Sequence, residues 1–281
     1  MIKEIAYAKV NLGLEVLRKR EDGYHDLAMV MSGISLFDEL VFEIIEDNEV
    51  IIDCKEMEHI PLKNNLIYKA AFYLKDKFNI NKGVKVIVKK QIPEQAGLGG
   101  GSADAAATLR GLNRLFNLNL SLDELAKYAI EIGSDVPFCI YNKLAIVTGR
   151  GENIKFLNKS LNLNLILIFP PFKAKTKEVF TNFRIHRKNI GKIDKLVDAI
   201  KNDDLKGINE NIFNDLEESY LYEKIKPIKE LLTEKGAITS FMTGSGSTII
   251  GVCASVKEAK SVLNNVLSYN DLLAGIVVQT I

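Results

Sequence analysis

Cysteine is scarce in this chain: its three copies, Cys54, Cys139 and Cys253, are far apart and odd in number, the last two set among apolar neighbours. That pattern argues against a disulfide framework and against a CxxC metal site, and it makes buried thiols in a reducing compartment the expectation. No run approaches the ~18 uninterrupted apolar residues of a membrane span, and the first residues, with Lys3 and Glu4, hold no apolar core of signal-peptide length. A cytoplasmic protein with no membrane partner is expected. An excess of charge of one sign is also missing, since 37 Lys+Arg stand against 36 Asp+Glu. A nucleic-acid binder gathers basic residues on one face, whereas Arg18, Lys19 and Arg20 run directly into Glu21 and Asp22. Nucleic acid is therefore not expected as a partner.

What is present is an ordinary globular composition, 47% hydrophobic and 26% charged, in a chain longer than the ~100–150 residues usual for one domain. We expect an α+β protein of two domains, residues 1–157 and 158–281, divided in the polar stretch Asn158–Asn164. In the first, Ile5–Leu17 reads as a strand before a charged turn at Arg18–Gly23, and Ile34–Ile52 supplies further strand-like runs. Leu66, Ala70, Tyr73, Leu74 and Phe78 fall near helical spacing, and Val84, Val86 and Val88 alternate with lysines in a strand ending at Pro93. Ser102–Leu115 is an alanine-rich and leucine-rich helix, Ser121 to Glu124 has capping-box spacing for a helix reaching Ile132, and Val136–Thr148 is strand-like. The second domain reads as strands at Leu163–Phe169, Ala237–Met242, Thr248–Cys253 and Gly275–Gln279. With helices up to Lys235 and at Val256–Leu267, the order is β-α-β-β-α-β, a split-βαβ sandwich.

The densest chemical signal is the run Pro93, Glu94, Gln95, Ala96, Gly97, Leu98, Gly99, Gly100, Gly101, Ser102, Ala103, between a strand and a helix. Glycines let the backbone turn several N–H groups toward one point, and a helix starting there adds about half a positive charge, which together make an anion cradle. Walker A is excluded because Gly101 is followed by Ser102 rather than by lysine, and the protein-kinase HRD and DFG segments are missing. A dinucleotide fold needs a strand after this helix, where Leu118–Ile132 reads as another helix. On these residues alone, a glycine-rich connection whose helix merely packs stays open.

Five further segments extend the pattern: Ala8-Lys9-Val10-Asn11-Leu12 with Asp22-Gly23-Tyr24-His25, Gly133-Ser134-Asp135-Val136-Pro137 with Thr148-Gly149-Arg150-Gly151, and Thr243-Gly244-Ser245-Gly246-Ser247. With the glycine loop, their order and spacing resemble the GHMP kinases from about residue 3 to the C-terminus. Within that family the Gly-Tyr-His segment resembles the branch acting on a cytidine-diphosphate-linked methylerythritol; another small-molecule kinase of the family, of homoserine or mevalonate type, is the alternative. The resemblance implies an N-terminal domain like ribosomal protein S5 domain 2 and a ferredoxin-like C-terminal domain. It also implies ATP-dependent phosphorylation of the substrate's 2-hydroxyl in the non-mevalonate route to isoprenoids.

Phosphoryl transfer to an alcohol requires positioning, neutralised phosphate charge and a group that receives the hydroxyl proton. The resemblance makes Asp135 that base, although an Asp in such a segment is ordinarily a turn residue. Lys9 lies in an apolar strand where an unpaired ammonium is costly; it needs an anion, and Asp135 or a substrate phosphate can supply one. The resemblance makes Lys9 catalytic. It assigns cytosine recognition to Tyr24 and His25 with Phe180 opposite, the methylerythritol hydroxyls to Asn11, the substrate's phosphates to the turn at Gly244, and ATP to the loop from Pro93 to Ala103 with Asn65 on the adenine side. Read plainly, Asn65 is as good a helix cap and Gly244–Ser247 a plain hairpin. Ala103 stands where many relatives carry a second serine, which removes one hydroxyl contact to phosphate. No protein metal ligand can be named, so Mg²⁺ is expected to arrive bound to ATP. The molecule is expected to be a monomer or a weak homodimer.

Overall fold

The computed structural model describes residues 1–186 and 188–281. They form two compact units interleaved along the chain. One comprises Met1–Lys9, Leu36–Glu94 and Gly99–Asn142, and the other Val10–Ser35, Gln95–Leu98 and Lys143–Ile281.

Two long strands open the chain, β1 (Ile2–Lys19) and β2 (His25–Ile45). The second begins well before Ile34 because Leu27, Met29, Val30 and Met31 already bury their side chains. In the first unit follow β3 (Val50–Asp53), α1 (Leu66–Lys77), β4 (Gly83–Lys89), α2 (Gly100–Leu115), α3 (Leu122–Ala129) and α4 (Val136–Tyr141). Strand β4 buries Val84, Val86 and Val88, pairs antiparallel with Glu39–Ile45 of β2 and runs parallel to β3. Asn65 caps α1 by accepting the Ile67 N–H, and Ile67, Ala70, Ala71 and Leu74 are its buried stripe. Helix α2 buries nearly everything from Ala103 to Leu112. It packs so closely on β2 that a Cβ on Gly111 would sit 2.4 Å from the Phe42 ring. The capping box at Ser121 and Glu124 is formed as expected.

The expected strand over Val136–Thr148 is corrected. Its first part is the six-residue helix α4, with Asp135 at the N-cap, Pro137 just inside and Asn142 leaving in the left-handed region. Proline fits the first helical turn, where no N–H is needed, and a helix of under two turns is too short to show a period. Only Ala145–Gly149 is strand (β5).

In the second unit β5 pairs with Leu27–Met31 of β2 and with β6 (Asn153–Phe156). Then come β7 (Asn164–Phe169), α5 (Thr176–Asn182), α6 (Lys192–Lys201), α7 (Leu205–Asn211) and β8 (Phe213–Asn214). The last elements are α8 (Tyr222–Glu234), β9 (Thr239–Met242), β10 (Ile249–Cys253), α9 (Val256–Tyr269) and β11 (Ala274–Gln279). The sheet order β11-β7-β10-β9 is antiparallel throughout, with α8 against β9 and β10 and α9 against β7 and β11. This is the expected split-βαβ, ferredoxin-like arrangement, with α5 to β8 inserted after its first strand. The two-residue β8, unforeseen in the sequence, pairs parallel with Gly13 and Leu14 of β1.

Candidate active site

The sixteen-residue α2 starts directly from the glycine loop with Gly99 as N-cap, no side chain capping it and no acid in its first turn. The N–H groups of Gly100, Gly101 and Ser102 therefore point out of the helix unclaimed by its ladder, and no acid in the first turn offsets the positive end of the dipole. That is the geometry of a phosphate cradle. Gly97 and Gly99 have φ of +75° and +70°, which a side chain disfavours. At Gly97 space is the stronger constraint, because an added Cβ would fall 2.4 Å from the Thr243 carbonyl oxygen and 2.9 Å from that of Gly246. Pro93, Glu94 and Ser102 are half-buried, Gln95 and Gly101 exposed, and Ala96, Leu98 and Ala103 buried, so Ala103 contributes packing.

Lys9 is buried, and its Nζ lies 3.5 Å from Asp135 Oδ2. Its aliphatic stem lies against Gly99, where a Cβ would come within 2.9 Å of Lys9 Cγ. The Lys9 side chain is 5% exposed and that of Asp135 33%, so the carboxylate is the accessible partner. Although Asp135 is at an N-cap position, its side chain makes no capping bond. The carboxylate is left for the ammonium and for an incoming hydroxyl, an arrangement able to orient an alcohol and take its proton.

The sequence did not single out three residues that fix the loop's flanks. Lys90, just before the loop, donates to Asp38 Oδ2 at 2.5 Å and to Asp104 Oδ2, in α2, at 2.7 Å. Asp38 Oδ1 also accepts the N–H of Gln91 at 2.5 Å and of Ile92 at 2.9 Å. Both aspartates are fully buried. Burial works against the Lys90 ammonium, but the charges of Asp104 and Asp38 outweigh it and raise its pKa. Burial pushes the Asp104 carboxyl above the usual carboxylate range even with Lys90 beside it. A lone acid inside the run Ala103–Ala107 was the available signal, because a charge on a buried helical face needs a partner.

In the second unit, the turn before β2 presents Tyr24, and His25 opens the strand. Asp22 Oδ1 accepts the Tyr24 N–H at 3.0 Å, and Arg20 binds both Asp22 and Asp26. Tyr24 is 52% exposed, and Arg150 covers one face of its ring with Cζ 3.7 Å from the centroid. The pairing of Leu27 with Gly149 brings that arginine alongside. His25 stacks on Phe180 of α5, with ring centroids 5.1 Å apart and 29° between planes. Two rings with a base between them need about 7 Å, so a base cannot enter between His25 and Phe180 as they stand. Burial, with Lys19 nearby, lowers the His25 pKa, and the neutral imidazole has one donor and one acceptor nitrogen.

Asn11 is buried, with its N–H donating to Thr243 Oγ1 at 2.9 Å and Nδ2 reaching Met29 Sδ at 3.2 Å. Gly244, with φ +55°, has its carbonyl held by Asn214 Nδ2 at 2.8 Å. Ser245 Oγ lies 2.8 Å from Thr176 Oγ1, tying this turn to the helix that carries Phe180. In the first unit the Asn65 oxygen is occupied by capping, and its Nδ2 reaches Met57 Sδ at 3.6 Å.

Comparison with known proteins decides the family. The model described as GHMP kinases N terminal domain matches residues 65–143, and GHMP kinases C terminal matches residues 196–271. A protein of Caldanaerobacter subterraneus named 4-diphosphocytidyl-2-C-methyl-D-erythritol kinase is 44% identical over 271 residues, 95% of this chain and 91% of that protein. A Bacillus cereus protein of the same name is 44% identical over 251 residues, 88% and 86% of the two chains.

The chain belongs to the GHMP kinases, among those named 4-diphosphocytidyl-2-C-methyl-D-erythritol kinase. A crystal structure titled 4-(cytidine 5'-diphospho)-2C-methyl-D-erythritol kinase superposes with a TM-score of 0.83 at 27% identity, covering 99% of each chain. The expected GHMP kinase fold with its N-terminal and C-terminal domains holds, and relatives at this identity favour the cytidylyl branch over the homoserine and mevalonate types. As a GHMP kinase it uses ATP as phosphoryl donor. Among the described residues no helix is long and apolar enough to cross a membrane, and no group of three His, Cys, Asp or Glu side chains is arranged to hold a metal ion.

Proposed function

We propose that this kinase transfers the γ-phosphoryl group of ATP to the 2-hydroxyl of 4-diphosphocytidyl-2-C-methyl-D-erythritol, in the non-mevalonate supply of isoprenoid precursors. The observation that carries the choice of substrate is the aromatic group of Tyr24, His25 and Phe180 beside the Asp22 turn, which a homoserine or mevalonate kinase does not need. Tyr24 and Phe180 hold the cytosine, and His25 selects it by hydrogen bonds. Asn11 binds the methylerythritol hydroxyls, and the Gly244 turn offers N–H groups to the substrate's phosphates. Pro93 to Ala103 hold the ATP phosphates, with Asn65 toward the adenine.

In the transfer, the 2-hydroxyl oxygen forms a bond to the γ-phosphorus as the bond to the β,γ-bridging oxygen breaks, and ADP leaves. Asp135 orients the hydroxyl and takes its proton, while Lys9 keeps the carboxylate paired. Mg²⁺ would arrive bound to the ATP phosphates and would neutralise part of their charge, and Ser102 would offer the loop's hydroxyl beside them. The nucleotide-binding half is residues 1–157 and the ferredoxin-like half 158–281. The enzyme works in the cytoplasm on a small molecule rather than nucleic acid, as a monomer or weak homodimer.

Base stacking contributes about 1–3 kcal/mol, so Tyr24→Ala should raise KM for the cytidylyl substrate about 5- to 150-fold and leave KM for ATP unchanged. Steady-state kinetics with each substrate varied checks this. An equal rise in both constants would remove Tyr24 from cytosine recognition.

A further inference from the structure

Arg110 lies midway along α2 with its side chain 16% exposed. Its guanidinium donates in three directions: Nε to Glu4 Oε2 at 3.0 Å, one terminal nitrogen to the Ile5 carbonyl at 2.8 Å, and the other to the Cys139 carbonyl at 2.9 Å. Glu4 and Ile5 belong to β1, the strand that carries Lys9. Cys139 belongs to α4 one turn after Asp135, whose carbonyl accepts the Cys139 N–H at 3.2 Å. One planar group thus ties the strand bearing the ammonium to the helix bearing the carboxylate.

We infer that Arg110 is a positioning residue, which sets the 3.5 Å separation of Lys9 and Asp135 by bridging Ile5 and Cys139. This rests on the catalytic reading of that pair. Helix α4 packs its apolar side chains against α2 and α3, contacts that lack the directionality of a hydrogen bond. The rigid fork of a guanidinium serves both carbonyls and the Glu4 carboxylate at once, whereas a lysine ammonium on a flexible stem cannot span the three. The penalty for losing it is geometric, since a displacement of about 1 Å at reacting groups costs up to about 10²-fold in rate.

Arg110→Lys should therefore lower kcat about 10- to 100-fold with KM for both substrates changed little, the signature of an interaction felt in the transition state. ADP affinity measured by calorimetry should match wild type and verify the fold. Glu4→Gln weakens one bond of the three and should give an intermediate kcat. Arg114→Met should keep wild-type kcat, because Arg114 binds Glu4 from the exposed side without reaching α4. Asp135→Asn is assayed alongside. If it is inactive while Arg110→Lys keeps wild-type kcat, or loses activity only in proportion to lost ADP-binding sites, the positioning role is overturned. If Asp135→Asn itself keeps wild-type turnover, the catalytic reading falls and the inference with it. Should Arg110→Lys fail to fold, Glu4→Gln decides: a reduced kcat with unchanged KM supports the role, and an unchanged kcat overturns it.

Discussion

Asp135→Asn should lower kcat by about 10²–10⁴-fold, the usual worth of a positioned base, while nucleotide affinity stays at the wild-type value. The substitution is nearly isosteric and disturbs no capping bond, because the Asp135 side chain makes none at the start of α4. What it removes is the negative charge 3.5 Å from Lys9 and the ability to accept a proton from an alcohol. Lys9 is buried and loses the nearby Asp135 charge, so a modest loss of thermal stability should accompany the loss of turnover. Single-turnover kinetics beside ADP titration separates the two effects. Turnover within a few-fold of wild type would show that the carboxylate does not act in the chemical step.

Gly97→Ala should combine a loss of stability with a loss of ATP binding. An alanine at φ +75° carries conformational strain of about 1–3 kcal/mol, and its Cβ meets two backbone carbonyl oxygens rather than a side chain that can rotate away. The loop or the Thr243–Gly246 segment has to shift, and either movement re-aims the N–H groups that follow. With about 2–4 °C per kcal/mol for a chain of this size, Tm should fall by about 2–12 °C, and KM for ATP should rise at least about tenfold. Gly101→Ala is the control: it sits in the same loop, but its Cβ would meet only Leu66 Cδ1 at 3.5 Å, and its Tm should stay close to wild type. Equal Tm losses for the two variants would mean that the close approach at Gly97 is not what holds the loop.

Much of this was legible in the sequence, for physical reasons that also mark where legibility stopped. Val84, Val86 and Val88 alternate, the stripe of α1 repeats at helical spacing, and the loop glycines stand between a strand and a helix, so these elements follow from local pattern. A lysine in an apolar strand needs an anion, which left Asp135 and a substrate phosphate as the candidates, and the Asp135 carboxylate lies 3.5 Å from Lys9. Helix α4 was hidden because Val136 to Ile140 is uniformly apolar and too short to show a period. The Lys90 group was hidden because its members are 52 and 14 positions apart, and Arg110 because it is held largely by backbone carbonyls, which have no sequence signature. The contact of His25 with Phe180, and of Arg150 with Tyr24, likewise depends on tertiary packing that residue types do not encode.

The central claim is the choice of acceptor, and a coupled ADP-release assay tests it most directly. With ATP and Mg²⁺ present, 4-diphosphocytidyl-2-C-methyl-D-erythritol should be turned over, and mevalonate and homoserine at the same concentration should release ADP no faster than the enzyme alone. Turnover of mevalonate or homoserine without turnover of the cytidylyl compound would contradict the account.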